Sequence, residues 1–200
     1  MGGVLLAAGE GSRLGTPKAL VEVGGRRLLD WGVGLLRDGG TSPVVVVTGA
    51  VSVGDIAGVA IVPNPAWRAG MGTSLAAGLR ALPDNCAAAV IALVDQPLIG
   101  PQAVERLIAA HQAGAQAAVA AYDGKPRNPV LLGRRLWADV LAVATGDAGA
   151  RPYLRGHPDL VTLVECSDTG SPDDVDTAED LARVSRLLGQ PQAPARTPRS

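Results

Sequence analysis

Residues 4–18 read VLLAAGEGSRLGTPK. Val4 to Ala8 is an unbroken apolar run that stops at closely spaced glycines, the pattern of a buried strand whose carboxyl end opens into a loop. In the loop, Gly9 to Pro17, successive backbone N–H groups can turn inward as an anion nest. Arg13 adds a planar fork and Lys18 a compact charge. A triphosphate matches that combination, and so does a plain turn with two solvated cations; glycines alone do not separate the two. Their spacing does exclude two other phosphate loops. They fall as GxGxxxG rather than GxGxxG, and no Gly-Lys-Ser/Thr follows, so neither the dinucleotide fingerprint nor the Walker loop fits.

Working outward, Arg26 to Arg37 has helical spacing and ends in Asp38-Gly39-Gly40, a glycine stop. Val44 to Val47, Val59 to Val62 and Ala87 to Val94 read as buried strands, with helices over Thr73 to Leu82 and from Pro101 to Gln112, where proline opens the first turn. Strand and helix alternate, and such crossovers impose a parallel sheet. The second half is less regular. Ala115 to Tyr122, Pro129 to Leu132 and Leu160 to Val164 read as strands; Arg134 to Val143, Ala148 to Leu154 and Ala178 to Leu188 read as helices. The expectation is a single-domain α/β fold over residues 1–189, with three α/β/α layers and a mostly parallel sheet. Residues 190–200, QPQAPARTPRS, have too little apolar content to fold and read as a disordered tail.

The bulk composition agrees. The 200 residues include 26 Gly, 15 Pro and no Phe, so the core falls to Val, Leu, Ile and Ala, as in a parallel sheet under Ala-rich helices. Eighteen basic residues against nineteen acidic ones give no global field to recruit nucleic acid or an anionic membrane, so a phosphate ligand has to be met locally. No apolar stretch approaches the roughly 18 residues of a membrane helix, and Val4 to Ala8 is too short for a signal peptide's apolar region. A cytoplasmic address is expected. Cys86 and Cys166 lack CxxC spacing and read as buried thiols. His111 and His157 have no metal-ligand spacing and receive no role.

At Ala87 the run AAAVIALVDQP leads straight into Asp95. A carboxylate at the carboxyl edge of a buried parallel strand sits where open α/β sheets place their ligands, and Pro97 turns the chain out of the sheet. Asp95 is the first candidate metal ligand. Asp173, Asp174 and Asp176 lie in DDVDTAEDL ahead of the last helix. Asp176 or Thr177 would cap that helix, and Asp176 can bind a metal only if its carboxylate is not committed to the cap. Two further segments, NPAWRAGMGTSL (64–75) and the stretch from Pro126 to Arg151 containing PRNPV and TGDAGAR, pair turn formers with polar groups as binding loops do.

LAAGEGSRLGTPK, DQP and DVDTAEDL together resemble the MobA-like nucleotidyltransferases, and NPAWRAGMGTSL with GDAGAR resembles the molybdenum cofactor cytidylyltransferase branch. The likeness runs from Val4 to about Leu188. It implies a Rossmann-like nucleotidyltransferase fold and an enzyme that transfers CMP from CTP to the terminal phosphate of molybdopterin, releasing pyrophosphate. By position, Leu6, Ala7, Ala8 and Gly9 would border the base. Gly11, Ser12, Arg13 and Lys18 would hold the triphosphate, and Asn64 and Ser74 the base and ribose. Asp95 and Asp176 would hold Mg2+, and Arg13, Lys18 and Asp95 would carry catalysis. Ala8 makes the loop LAAG where guanylyl-transferring relatives have LAGG, which favours CTP. The acceptor motif departs from the family, with Asn128 where histidine often precedes the proline; Arg127, Asn128 and Arg151 are the candidate acceptor contacts. The resemblance also implies hand-over to a molybdoenzyme or chaperone partner. Alternatives are another small phosphorylated acceptor such as a sugar phosphate, a non-catalytic nucleotide-binding accessory protein and, third, an oxidoreductase with a dinucleotide cofactor.

Overall fold

A computed structural model describes residues 1–189; the tail expected over residues 190–200 lies outside the described residues. The apolar run at the start forms β1 (Gly2–Ala7), buried along its whole length. A small hairpin, β2 (Glu22–Val23) and β3 (Arg26–Arg27), precedes α1 (Leu28–Asp38). There follow β4 (Val44–Thr48), β5 (Val59–Pro63), α2 (Met71–Ala81), β6 (Ala88–Leu93) and α3 (Pro101–Gln112). The second half contains β7 (Ala117–Tyr122), β8 (Lys125–Gly133), α4 (Trp137–Val143), α5 (Arg151–Gly156), β9 (Val161–Glu165) and α6 (Ala178–Gly189).

Seven strands form one sheet in the order β5-β4-β1-β6-β8-β7-β9. All neighbours pair in parallel except β8, which runs antiparallel to both β6 and β7. Side chains alternate across the sheet. Leu5, Val46, Val90 and Ala118 enter one core with α1 and α3, whereas Val4, Val45, Ile91 and Val119 enter a second with α2, α4 and Tyr153 of α5. Helices therefore cover both faces, which is why β1 and β4 have no polar alternation except Thr48 at the end of β4. No helix among the described residues is long and apolar enough to cross a membrane.

The chain leaves β1 for β4 on one side and returns through α2 to β6 on the other, so the strand order reverses at β1. In an open α/β sheet that reversal opens a crevice at the carboxyl ends of the strands. Two departures from the expected elements have local causes. The helix expected from Arg26 begins at Leu28, because Arg26 and Arg27 pair with Glu22 and Val23 around a Gly24-Gly25 turn in which both φ values are positive. The helices expected at 134–143 and 148–154 each open with a tight 3-10 turn, at Arg134–Leu136 and Gly146–Ala148, before the α-helix begins.

Candidate active site

Leu6 of β1 lies level with Leu93 of β6, and the Val94 N–H donates to the Leu6 carbonyl at 3.2 Å. The loop after β1 and the Asp95 turn after β6 thus emerge side by side. Within the loop, Gly11 has φ +62°, and a Cβ there would collide with the Thr16 carbonyl, so the tight turn requires glycine. The turn delivers Lys18 to the mouth of the crevice. Its Nζ donates to Asp95 Oδ2 at 2.6 Å and to Asp176 Oδ1. Arg13, mostly exposed, lies 3.4 Å from Asp176 Oδ2.

Asp176 reaches this place through backbone pairing remote in sequence. The segment after Asp95 runs against the segment before Asp176: Gly100 N–H donates to Thr169 O at 2.8 Å, Ser171 N–H to Leu98 O at 3.2 Å, and Val175 N–H to Asp95 O at 2.8 Å. The capping of α6 is done elsewhere. Asp180 Oδ2 accepts from the Thr177 N–H at 3.0 Å, and Thr177 Oγ1 accepts from the Asp180 N–H at 3.2 Å, a reciprocal capping box. The Asp176 carboxylate is therefore not committed to the cap and meets Lys18 and Arg13 instead.

Burial by itself would lower the Lys18 ammonium, but the Asp95 charge and the hydrogen bonds to Asp176 and Asp95 outweigh it, and the net shift is upward. Lys18 is a fixed cation. Asp174, two residues before Asp176, moves the other way for an acid to remain charged: burial, then the neighbouring charge of Asp95, raise its carboxyl above the usual range, opposed by the hydrogen bond from Gln96. Asp95 Oδ1 is buried and has no hydrogen-bond partner among the described residues. Among the described residues, no group of three or more His, Cys, Asp or Glu side chains is placed to hold a metal ion. Two carboxylates with an unpartnered oxygen still fit a magnesium-type ion, which takes one or two carboxylates and completes its shell with water and phosphate oxygens.

A cavity of about 750 Å3 adjoins this cluster on the α2 and α5 side of the sheet. Leu6, Arg127, Asn128 and Arg151 all line it, so three residues expected at the acceptor and one expected at the base share a wall. Ala7 is buried in the opposite core and can offer a ligand only its backbone. Ala8 is also buried; its carbonyl accepts from the Ala50 N–H at 3.1 Å, while Gly9 and Ser12 are exposed in the loop. Asn64 and Ser74 are buried against one another. Asn64 Nδ2 donates to Ser74 Oγ at 3.0 Å and to Thr73 Oγ1 at 2.9 Å, while its Oδ1 accepts from the Ala66 N–H at 3.0 Å. Their polar atoms therefore brace the loop that enters α2. Gly70, at φ +112°, and Gly72 press against the 144–146 backbone, so the GMGTSL and GDAGAR segments pack as one unit.

Sequence reasoning passed over Gln96 and Asp174. Gln96 Nε2 donates to Asp174 Oδ1 at 2.8 Å and to Pro172 O at 3.0 Å, and both side chains line the cavity. The only signal was their position beside Asp95 and Asp176.

The description MobA-like NTP transferase domain matches residues 3–161. The chain belongs to this family. The chain is 39% identical over 195 residues to the nicotine blue oxidoreductase of Paenarthrobacter nicotinovorans, covering 91% of this chain and 95% of that one. Among solved structures it is similar to the homologue of Mycobacterium tuberculosis Rv0371c from Mycobacterium sp. strain JC1. That likeness has 32% identity and a TM-score of 0.81, over 93% of this chain and 97% of that chain. The manganese complex of Rv0371c from Mycobacterium tuberculosis H37Rv is 25% identical with a TM-score of 0.72, over 92% and 97% of the two chains. The three-layer α/β fold, with its mostly parallel seven-stranded sheet, is shared with these solved structures.

Proposed function

We propose that the protein transfers a nucleoside monophosphate from a nucleoside triphosphate to a phosphorylated acceptor seated in the cavity, most specifically CMP from CTP to molybdopterin. The observation that carries this reading is the Lys18 ammonium held between Asp95 and Asp176 at the strand-order reversal. Nucleotidyl transfer asks little covalent help of a protein; it needs in-line positioning and charge neutralisation. The backbone N–H groups of Gly9 to Ser12 and the exposed Arg13 guanidinium would bind the β- and γ-phosphates. Arg127 and Arg151, with Asn128, would orient the acceptor phosphate. One of its oxygens bonds to the α-phosphorus as the bond from that phosphorus to the bridging oxygen breaks, and pyrophosphate leaves with the electron pair. Lys18 would steady the departing charge. Asp95 and Asp176 would hold Mg2+, which when bound neutralises phosphate charge and fixes the triphosphate. Asn64 and Ser74 would act through the loop they brace, and Ala8 would favour CTP. A cytoplasmic address and hand-over to a molybdoenzyme or chaperone accompany this reading.

The test is pyrophosphate release from each of the four nucleoside triphosphates with Mg2+ and molybdopterin. CTP is expected to be fastest, and Asp95→Ala to abolish release while the folded state persists. Silence with all four would overturn transfer. A second reading, oxidoreduction, is favoured by one observation: the relative matched over 91% of this chain is named an oxidoreductase. Oxidation of a nicotinamide cofactor in the presence of a heteroaromatic acceptor, with no pyrophosphate release, would replace the first reading by the second.

A further inference from the structure

Gln96 is only 5% exposed, and it lines the cavity together with Pro172 and Asp174. Its amide orientation is dictated by its partners. Nε2 meets the Pro172 carbonyl at 3.0 Å and Asp174 Oδ1 at 2.8 Å, and a flipped amide would set an oxygen against that carbonyl, which can only accept. Oε1 is thus the free end. It is buried and has no hydrogen-bond partner among the described residues. A buried acceptor without a donor is unfavourable, so a ligand that brings one is bound in preference to a ligand of the same shape without one.

The rest of the cavity describes that ligand. Five neighbouring strands supply its floor from one face of the sheet: Leu6 of β1, Leu93 of β6, Val130 of β8, Val119 of β7 and Leu163 of β9, with Leu75 of α2 also lining it. A broad aliphatic floor favours a flat, largely apolar body. Arg127, Arg151 and Arg155 line the same cavity, are exposed, and form no ion pair among the described residues. Three unpaired guanidinium groups call for an anionic substituent.

We propose that Gln96 Oε1 accepts a hydrogen bond from a ring N–H of a flat heteroaromatic ligand that lies across this floor with an anionic substituent at the arginines. Gln96 is then a specificity-determining residue for the acceptor. The assignment rests on the reading of the cavity as the acceptor's.

The experiment compares two fluorescent probes on the whole protein without nucleotide: lumazine-6-carboxylate and its 1,3-dimethyl counterpart, which share rings and charge and differ in two N–H groups. The parent is expected to bind at least tenfold more tightly. Gln96→Met, whose melting temperature is measured alongside, is expected to reduce that preference below threefold. Asp174→Asn keeps an acceptor for Nε2 and is expected to retain the preference, which separates loss of Oε1 from loosening of the 172–174 segment. Equal binding of the two probes by the native protein, binding of neither, or a preference that survives Gln96→Met would each overturn the assignment. Because the measurement involves no turnover, failure of pyrophosphate release with a persisting preference would remove transfer and leave Gln96 in place. Release without any preference would do the reverse.

Discussion

Replacing Lys18 by methionine keeps an unbranched side chain and removes the charge, and it should move two measurable quantities in opposite directions. The side chains of Lys18 and Asp95 are each 18% exposed and that of Asp176 is 38% exposed. Without the ammonium, two carboxylates face each other with Arg13, 3.4 Å from Asp176, as the remaining cation in contact. Removing one partner of a fully buried ion pair costs about 3–5 kcal/mol. The partial exposure of Asp176 screens part of this, so a stability loss of about 1–2 kcal/mol is expected from urea unfolding in metal-free buffer. The same change makes the carboxylate pair a better cation site. A gain of about 1.4 kcal/mol, a modest share of the roughly 4 kcal/mol for unit charges at ~4 Å near a surface, corresponds to about tenfold tighter Mn2+ binding by electron paramagnetic resonance. Turnover should nevertheless fall by about 10²–10³, the usual effect of deleting one group that stabilises transition-state charge. Weaker or unchanged Mn2+ binding would refute the assignment of Asp95 and Asp176 to the cation. Turnover within threefold of the native value would remove Lys18 from the transfer step. Because the Lys18 pKa is raised above its usual 10.5, its stabilising contribution is fully present below that pH and is lost only above it, so no activity change between pH 6 and 9 arises from Lys18.

Gly11→Ala forces a side chain onto a residue at φ +62° against the Thr16 carbonyl, and should raise the nucleotide KM about tenfold at a stability cost of about 1–2 kcal/mol, read from initial rates and urea unfolding. Gly70→Ala drives a Cβ into the Gly146 backbone; we expect a loss of more than about 2 kcal/mol by urea unfolding and a raised acceptor KM, since Ala148 to Arg151 line the cavity. Asp176→Asn should bind metal-free CTP more tightly and Mg–CTP more weakly than the native protein, a crossover measurable by calorimetry. Burial pushes the Tyr122 hydroxyl up to about 12 from 10, so its stabilising contribution is intact below pH 10 and is lost as pH rises to about 12. Tyr122→Phe should flatten that part of the alkaline unfolding profile, and an unchanged slope between pH 10 and 12 would contradict the burial assigned to it.

Local pattern made the first half of the fold legible. β1 (Gly2–Ala7) is buried throughout and β6 (Ala88–Leu93) at every residue but Leu93, so their apolar runs read directly as strands, and Pro101 marks the start of α3 to the residue. The second half was harder, for reasons visible in β8. The strand expected at Pro129 to Leu132 in fact begins at Lys125: Pro126 pairs with Ala121 of β7 alone, and β6 pairs only from Val130 onward. The Asp123-Gly124 turn, both residues at positive φ, was the overlooked hairpin signal. In the site, Asp95 could be found because it follows directly on a readable strand, and Lys18 because it closes the glycine loop that opens from one. Gln96 and Asp174 could not, because what joins them is the pairing of 98–100 with 169–171, a contact between loops with no periodicity of its own.

Charge balance explains why the two halves of the site depend on each other. Arg13 and Lys18 contribute two positive charges, and Asp95 and Asp176 return two negative ones, with all four in contact. A triphosphate approaching this cluster therefore meets a nearly neutral surface. The cations become available to phosphate only as the carboxylates acquire another positive partner, and Asp95 Oδ1 has no hydrogen-bond partner among the described residues. Nucleotide and divalent cation are thus expected to bind as a coupled pair, each more weakly alone. That coupling is what the Asp176→Asn crossover measures: neutralising one carboxylate frees a cation for metal-free nucleotide while removing a ligand from the metal. A flexible turn with two solvated cations would give neither effect, since its arginine and lysine would have no carboxylates to release them.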